Sequence, residues 1–263
     1  MGPLAYDDAG SGRPVLLVHG VCMSRRFFQH NVAPLAERFR VINVDLRGHG
    51  ASPPSEGGHT VDGYARDLRH LIETLDLRDV VLVGWSMGTL VAWDYISQFG
   101  DDLRLAAHVN VSQPVSDLKS DAYPLGIFDN DSLHGFIAGA QADFRGAMEH
   151  FIPVMLKAEP SADELAWMTE ETQKVGANAG CLILLSQSLV SYHDLVGTYE
   201  LPTLMCFGAD EKLVPLASAA FIRERQPSAE LVVFDESGHI PMLEEPQRFN
   251  SVAGDWIAAL PAS

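Results

Sequence analysis

The chain has 263 residues, 47% hydrophobic and 20% charged, which suits one folded globular domain with a sizeable core. Its formal net charge of -17 repels phosphate backbones and anionic membrane surfaces, so neither nucleic acid nor membrane is an expected partner. Three scattered cysteines, Cys22, Cys181 and Cys206, fit no metal-ligand spacing and suit a reducing compartment.

The N-terminus lacks the basic and apolar regions of a signal peptide, and no apolar run nears the ~20 residues that span a bilayer. A cytoplasmic protein is expected. Over residues 1–112, short β-like runs alternate with helical patterns. V-L-L-V-H (15–19), V-I-N-V-D (41–45) and V-V-L-V-G (80–84) suit parallel strands buried on both faces. Between the second and third, Val61, Tyr64, Ala65, Leu68, Leu71, Ile72 and Leu75 recur at spacings of three and four, which predicts an amphipathic helix capped by Thr60. The β-like pattern returns at L-P-T-L-M-C-F-G (201–208) and L-V-V-F (231–234), with a last helix around 246–260. This alternation predicts an α/β fold with a mostly parallel, doubly wound sheet. Residues 114–198 break it with helical patterns rich in Phe, Met and Leu. They are expected to form a helical cap inserted into a core made of 1–113 and 199–263.

Gly84-Trp85-Ser86-Met87-Gly88 is a G-x-S-x-G pattern, which chance places in about one chain in ten of this size. Its setting says more, because it follows a β-run and precedes a helix-like stretch. A sharp strand–turn–helix of this kind lifts a serine hydroxyl above the sheet as a nucleophile. Such a hydroxyl needs a base. His239 lies after the last β-run, in S-G-H-I-P-M-L-E-E-P, and is the candidate among ten histidines. The base needs an acidic partner to fix its tautomer. Asp210, after the strand ending in F-G, is assigned that role over Asp235 and over Glu211, which should point away if the chain is extended there. The backbone N–H groups of Met87 and Val21 are the candidate oxyanion donors. Cys22 and Trp85, with Phe128, Phe136 and Phe144 of the insertion, are the candidate pocket residues.

The stretches LAYDDAGSGRPVLLVHG, RVINVDLRGHGAS, LIETLDLRDVVLVGWSMG, PTLMCFGADEKLVP and ESGHIPMLEEP together resemble the α/β-hydrolase superfamily, and within it the cofactor-free bacterial haloperoxidase and arylesterase-like group. The resemblance implies the same roles for Ser86, Asp210, His239, Val21 and Met87, and no cofactor or metal. Serine at the elbow separates the chain from the dehalogenase and epoxide hydrolase branches, which the resemblance says carry aspartate there. Many relatives have one more strand before the stretch matching Leu4–Gly10, so that edge strand is expected to be missing or shortened. Several perhydrolase-like members follow the matching His-Gly with an aromatic residue and proline; Val21-Cys22 here counts against efficient peracid formation.

The expected reaction is hydrolysis of a carboxylic ester or lactone with an apolar group, through an acyl-enzyme. Alternatives with the same residues are acyl transfer, C–C hydrolysis and peracid formation, and a non-catalytic ligand receptor is the alternative from another class. The expected partner is a small-molecule substrate; self-association is left open.

Overall fold

The computed structural model describes residues 3–100 and 104–261. In chain order it contains β1 (Tyr6–Gly10), β2 (Pro14–Val18), a 3-10 turn (Arg25–Phe28), α1 (Val32–Ala36), β3 (Arg40–Val44), α2 (Val61–Thr74), β4 (Val80–Trp85), α3 (Met87–Phe99) and β5 (Leu105–Val111). Helices α4 (Asn130–Ala142), α5 (Phe144–Met155), α6 (Ala162–Gln173) and α7 (Ala177–Leu189) follow, then β6 (Thr203–Gly208), α8 (Ala217–Arg225), β7 (Glu230–Phe234), α9 (Pro241–Glu244) and α10 (Pro246–Ala259).

Among the described residues seven strands form one sheet in the order β1-β3-β2-β4-β5-β6-β7. All neighbours run parallel except β1, which pairs antiparallel with β3 at the edge. No described strand pairs outside β1. Alternation along each strand splits the apolar residues between two cores. Leu16, Val18, Ile42, Val44 and Leu82 face one helical layer, while Val15, Leu17, Val41, Val81 and Val83 face the other. The expected strands and the 60–75 helix form, with Thr60 Oγ1 accepting from the N–H of Gly63 as a cap.

Two strands lie outside the runs picked from the sequence. β1 (YDDAG) is almost wholly exposed and lacks an apolar signal. β5 carries His108 and Asn110 among its buried residues. Segment 114–198 holds α4 to α7, and its two ends meet in one place. The Val115 carbonyl accepts from Tyr192 N–H at 2.8 Å, the Asp117 carbonyl accepts from Phe128 N–H at 2.9 Å, and Ser116 and Leu118 form single bridges with Ser191 and Phe128.

Candidate active site

Ser86 sits at the end of β4 with φ 51° and ψ −125°, in the left-handed half of backbone space that a serine seldom enters. The flanking glycines explain how the turn closes. A Cβ on Gly84 would lie 2.5 Å from the backbone of Gly88, and one on Gly88 would lie 2.3 Å from the Val18 carbonyl oxygen. The close strand–helix approach therefore depends on the absence of side chains at both positions. A Cβ on Gly20 would come 3.2 Å from Ser86 Cβ and 3.3 Å from the Trp85 ring. The turn that follows β2 thus lies against Ser86, with Met23 N–H closing it onto the Gly20 carbonyl. Val21 opens that turn, and Met87 is the first residue of α3.

His19 anchors the turn from beneath. Its Nε2 accepts from Leu46 N–H at 3.0 Å and its Nδ1 donates to the Gly20 carbonyl at 2.8 Å. Complete burial depresses its pKa to about 4, so it stays neutral and structural.

His239 reaches the site on the loop after β7. Its carbonyl accepts from the Trp85 indole N–H at 2.9 Å, and the two rings lie 6.1 Å apart, which sets the imidazole beside the residue that precedes Ser86. Its own N–H donates to the Met155 carbonyl at the end of α5. His239 Nδ1 donates to Glu211 Oε2 at 2.9 Å, and both side chains are only 2% exposed. An ionised carboxylate only accepts, so this bond fixes the proton on Nδ1 and leaves Nε2 as the basic nitrogen. Burial works to raise the Glu211 pKa, but the charge and hydrogen bond of His239, with the amides of Leu213 and Val214, outweigh it and hold the carboxyl below its usual range.

The carboxylate bonded to His239 is therefore Glu211, and the expected pairing of His239 with Asp210 is corrected. An extended chain after β6 would alternate neighbouring side chains and turn Glu211 away from His239. Instead Ala209 and Asp210 form a turn, with their N–H groups held by the carbonyls of Phe234 and Ser237, and alternation does not apply. Asp210 faces solvent and Glu211 turns inward. The G-A-D turn residues just before Glu211 are the signal that could have found it.

A family model described as alpha/beta hydrolase fold matches residues 13–246. The chain belongs to the α/β-hydrolase family. A putative non-heme chloroperoxidase from Synechocystis is 31% identical over 243 residues, covering 89% of this chain and 87% of that protein. A bromoperoxidase from Bacillus anthracis superposes with a TM-score of 0.91 at 26% identity, over 97% of this chain and 95% of that one. An esterase from Exiguobacterium antarcticum superposes at 0.92 with 23% identity, over 98% and 100% of the two chains, and this last likeness speaks for the fold alone.

Within this α/β-hydrolase the expected pocket residues separate. Cys22 is buried against α7, its Sγ 3.9 Å from the Gly180 carbonyl, and burial pushes its thiol well above the usual range. Phe144 packs at the same place, where a Cβ on Gly180 would meet its ring at 2.5 Å. Trp85 is wholly buried and stacks on Phe27 at 5.2 Å, a support under His239. Phe128 and Phe136, 5.7 Å apart, line an open groove of about 460 Å³ on the insertion with Phe151 and Val154. Among the described residues no group of three or more His, Cys, Asp or Glu is placed to hold a metal ion, and no helix is long and apolar enough to cross a membrane.

Proposed function

We propose that this chain is a serine hydrolase that cleaves a carboxylic ester or lactone bearing an apolar group. Ser86 is the nucleophile, His239 the general base and Glu211 the acid that orients it. Ser86 Oγ attacks the carbonyl carbon while His239 Nε2 takes its proton. The oxyanion is held by the N–H groups of Val21 and Met87, and the alcohol leaves with the proton from His239. Water repeats the sequence on the acyl-enzyme, releasing the acid and restoring Ser86. The helical insertion acts as a lid that chooses the acyl group.

The observation that carries this reading is the buried Glu211–His239 bond, set beside a serine in a left-handed elbow. A burst of nitrophenol from a generic nitrophenyl ester tests it. Ser86→Ala should lower the rate by roughly four to six orders of magnitude in folded protein, since nucleophile and base act as a unit. Undiminished turnover by the pure variant rejects the reading. The relatives named chloroperoxidase and bromoperoxidase favour a second reading, in which hydrogen peroxide replaces water as acyl acceptor and a peracid results. Oxidation of bromide, seen only when peroxide and a carboxylic acid are both supplied, would mark it.

A further inference from the structure

The turn between Gly20 and Ser24 is strained and is held from two sides. Cys22 sits at φ 58°, in the left-handed region that a residue with a side chain seldom enters. Such a conformation persists where its surroundings over-determine it. The core holds the near end: His19 Nδ1 donates to the Gly20 carbonyl at 2.8 Å, and Met23 N–H closes onto the same oxygen at 3.2 Å. The insertion holds the far end. Ser24 Oγ donates to Glu171 Oε2 of α6 at 2.7 Å while accepting from Arg26 N–H at 3.2 Å, and Cys22 Sγ lies against the Gly180 carbonyl of α7. Between the two ends lies Val21, whose N–H is hydrogen-bonded to none of the described residues.

α6 supports the next few residues as well. The ring of Trp167, one helical turn before Glu171, lies 4.6 Å beneath the Arg26 guanidinium and 5.0 Å from the Phe27 ring, which stacks on Trp85. Arg26 and Lys174 pair with the Glu171 carboxylate, so its charge is matched although the side chain is buried.

We propose that Glu171 is a positioning residue of this site: by holding Ser24 Oγ it fixes the far end of the turn and so aims the Val21 N–H at the oxyanion that forms when Ser86 attacks. This rests on the serine hydrolase reading above. Glu171 exchanges no proton with the substrate and acts only through Ser24 and the backbone. Oxyanion donors work because they are in place before the charge develops, and that charge is absent from the bound ester. A misaimed donor therefore lowers kcat and leaves ground-state binding alone. The insertion thereby sets the rate for every acyl group, besides choosing among them.

The test compares Ser24→Ala and Glu171→Ala with the wild-type chain on nitrophenyl acetate and nitrophenyl octanoate. Each variant should lose roughly tenfold in kcat on both esters with KM unchanged, less than the roughly hundred- to thousand-fold that follows loss of a whole oxyanion donor. The double variant should lose no more than either single one, because both changes cut the same link. Affinity for a trifluoromethyl ketone, which takes up Ser86 Oγ and places an oxyanion in the same site, should fall by a similar factor. Lower thermal stability with unchanged kcat and ketone affinity overturns the proposal and leaves Glu171 a latch. So does a change confined to KM, to the ranking of the two esters or to Ser24→Ala alone. If Glu171→Ala does not fold, Ser24→Ala decides, since it keeps Glu171 paired with Arg26 and Lys174 and keeps Arg25 N–H on Asp45 Oδ1. Ser86→Ala separates the two levels: an active Ser86→Ala removes the reading beneath this proposal, whereas an inactive one leaves the other variants to judge Glu171 alone.

Discussion

Glu211 Oε2 lies 2.9 Å from His239 Nδ1, while Asp210, one residue earlier, turns its side chain to solvent. The pair can be told apart by activity. Glu211→Gln should lower kcat by about three to four orders of magnitude, because the amide no longer fixes the histidine tautomer or balances the imidazolium. Asp210→Asn should stay within about threefold of wild type, in line with an exposed surface substitution. Steady-state ester hydrolysis by both variants checks this, and the reverse ranking would restore Asp210 as the acid.

Glu171 of α6 ties the insertion to the turn beside Ser86. Its carboxylate accepts from Ser24 Oγ at 2.7 Å, from Arg26 at 3.3 Å and from Lys174 at 2.7 and 2.8 Å. Burial would raise its pKa, but these partners outweigh it and hold the carboxyl below its ordinary value of 4.5. A depressed acid contributes stability above the unfolded value and loses it as pH falls through the folded one. Since Arg26 and Lys174 are nearly half exposed, the share is modest. Glu171→Gln should cost about 1–2 kcal/mol at pH 7, a cost that shrinks as the pH falls from the ordinary value of 4.5 through the lower folded one. Urea titrations across that range measure it, and a cost independent of pH would remove the charge from the explanation.

His108 on β5 is fully buried, and neither ring nitrogen has a hydrogen-bond partner among the described residues. Burial lowers its pKa to about 3, with His19 at about 4 and His49 at about 3. The unfolded chain takes protons near pH ~6.5 that the native state refuses, so stability falls as pH drops below that value. Each such histidine steepens the fall by up to about 1.4 kcal/mol per pH unit. His108→Leu should remove one such share between pH 6 and 4 and cost nothing at pH 7.5, where the lost group was unpaired. Equal slopes in the two proteins would show that His108 finds a partner or a proton in the native state.

The aromatic residues of the insertion should divide by burial. Phe144, at 7% exposure against Gly180, is a core residue, and its truncation to alanine should cost about 3–5 kcal/mol. Phe128→Ala and Phe136→Ala should stay within about 1 kcal/mol of wild-type stability, since both line an open groove, and should instead reorder the preference for acyl chain length. Thermal unfolding and a series of esters from acetate to octanoate separate the effects. An unchanged ranking in both groove variants would show that the groove does not guide the acyl chain.

Much of the site could be read from residues whose chemistry leaves few options. G-W-S-M-G after an all-apolar run reports a tight turn because glycine alone fits between β4 and α3, and the runs at 15–19, 41–45 and 80–84 report strands buried on both faces. What escaped followed from tertiary context. β5 does not look like a core strand because His108 and Asn110 interrupt it, and Asn110 is there to clamp Gln113. Asp210 and Glu211 differ by one residue, so only the turn after β6 decides which enters the core. Cys22 and Phe144 meet across more than a hundred residues, through Gly180, a contact no local pattern encodes.

The pairing of Val115 and Ser116 with Tyr192 and Ser191 brings entry and exit of the helical segment together. A segment whose ends are already joined adds little to the closure entropy of the remaining chain, because that term grows only with the logarithm of length. A change in length between those ends therefore alters this closure term only slightly, whereas the helices themselves stay tied to the core through Phe144, Gly180 and Glu171.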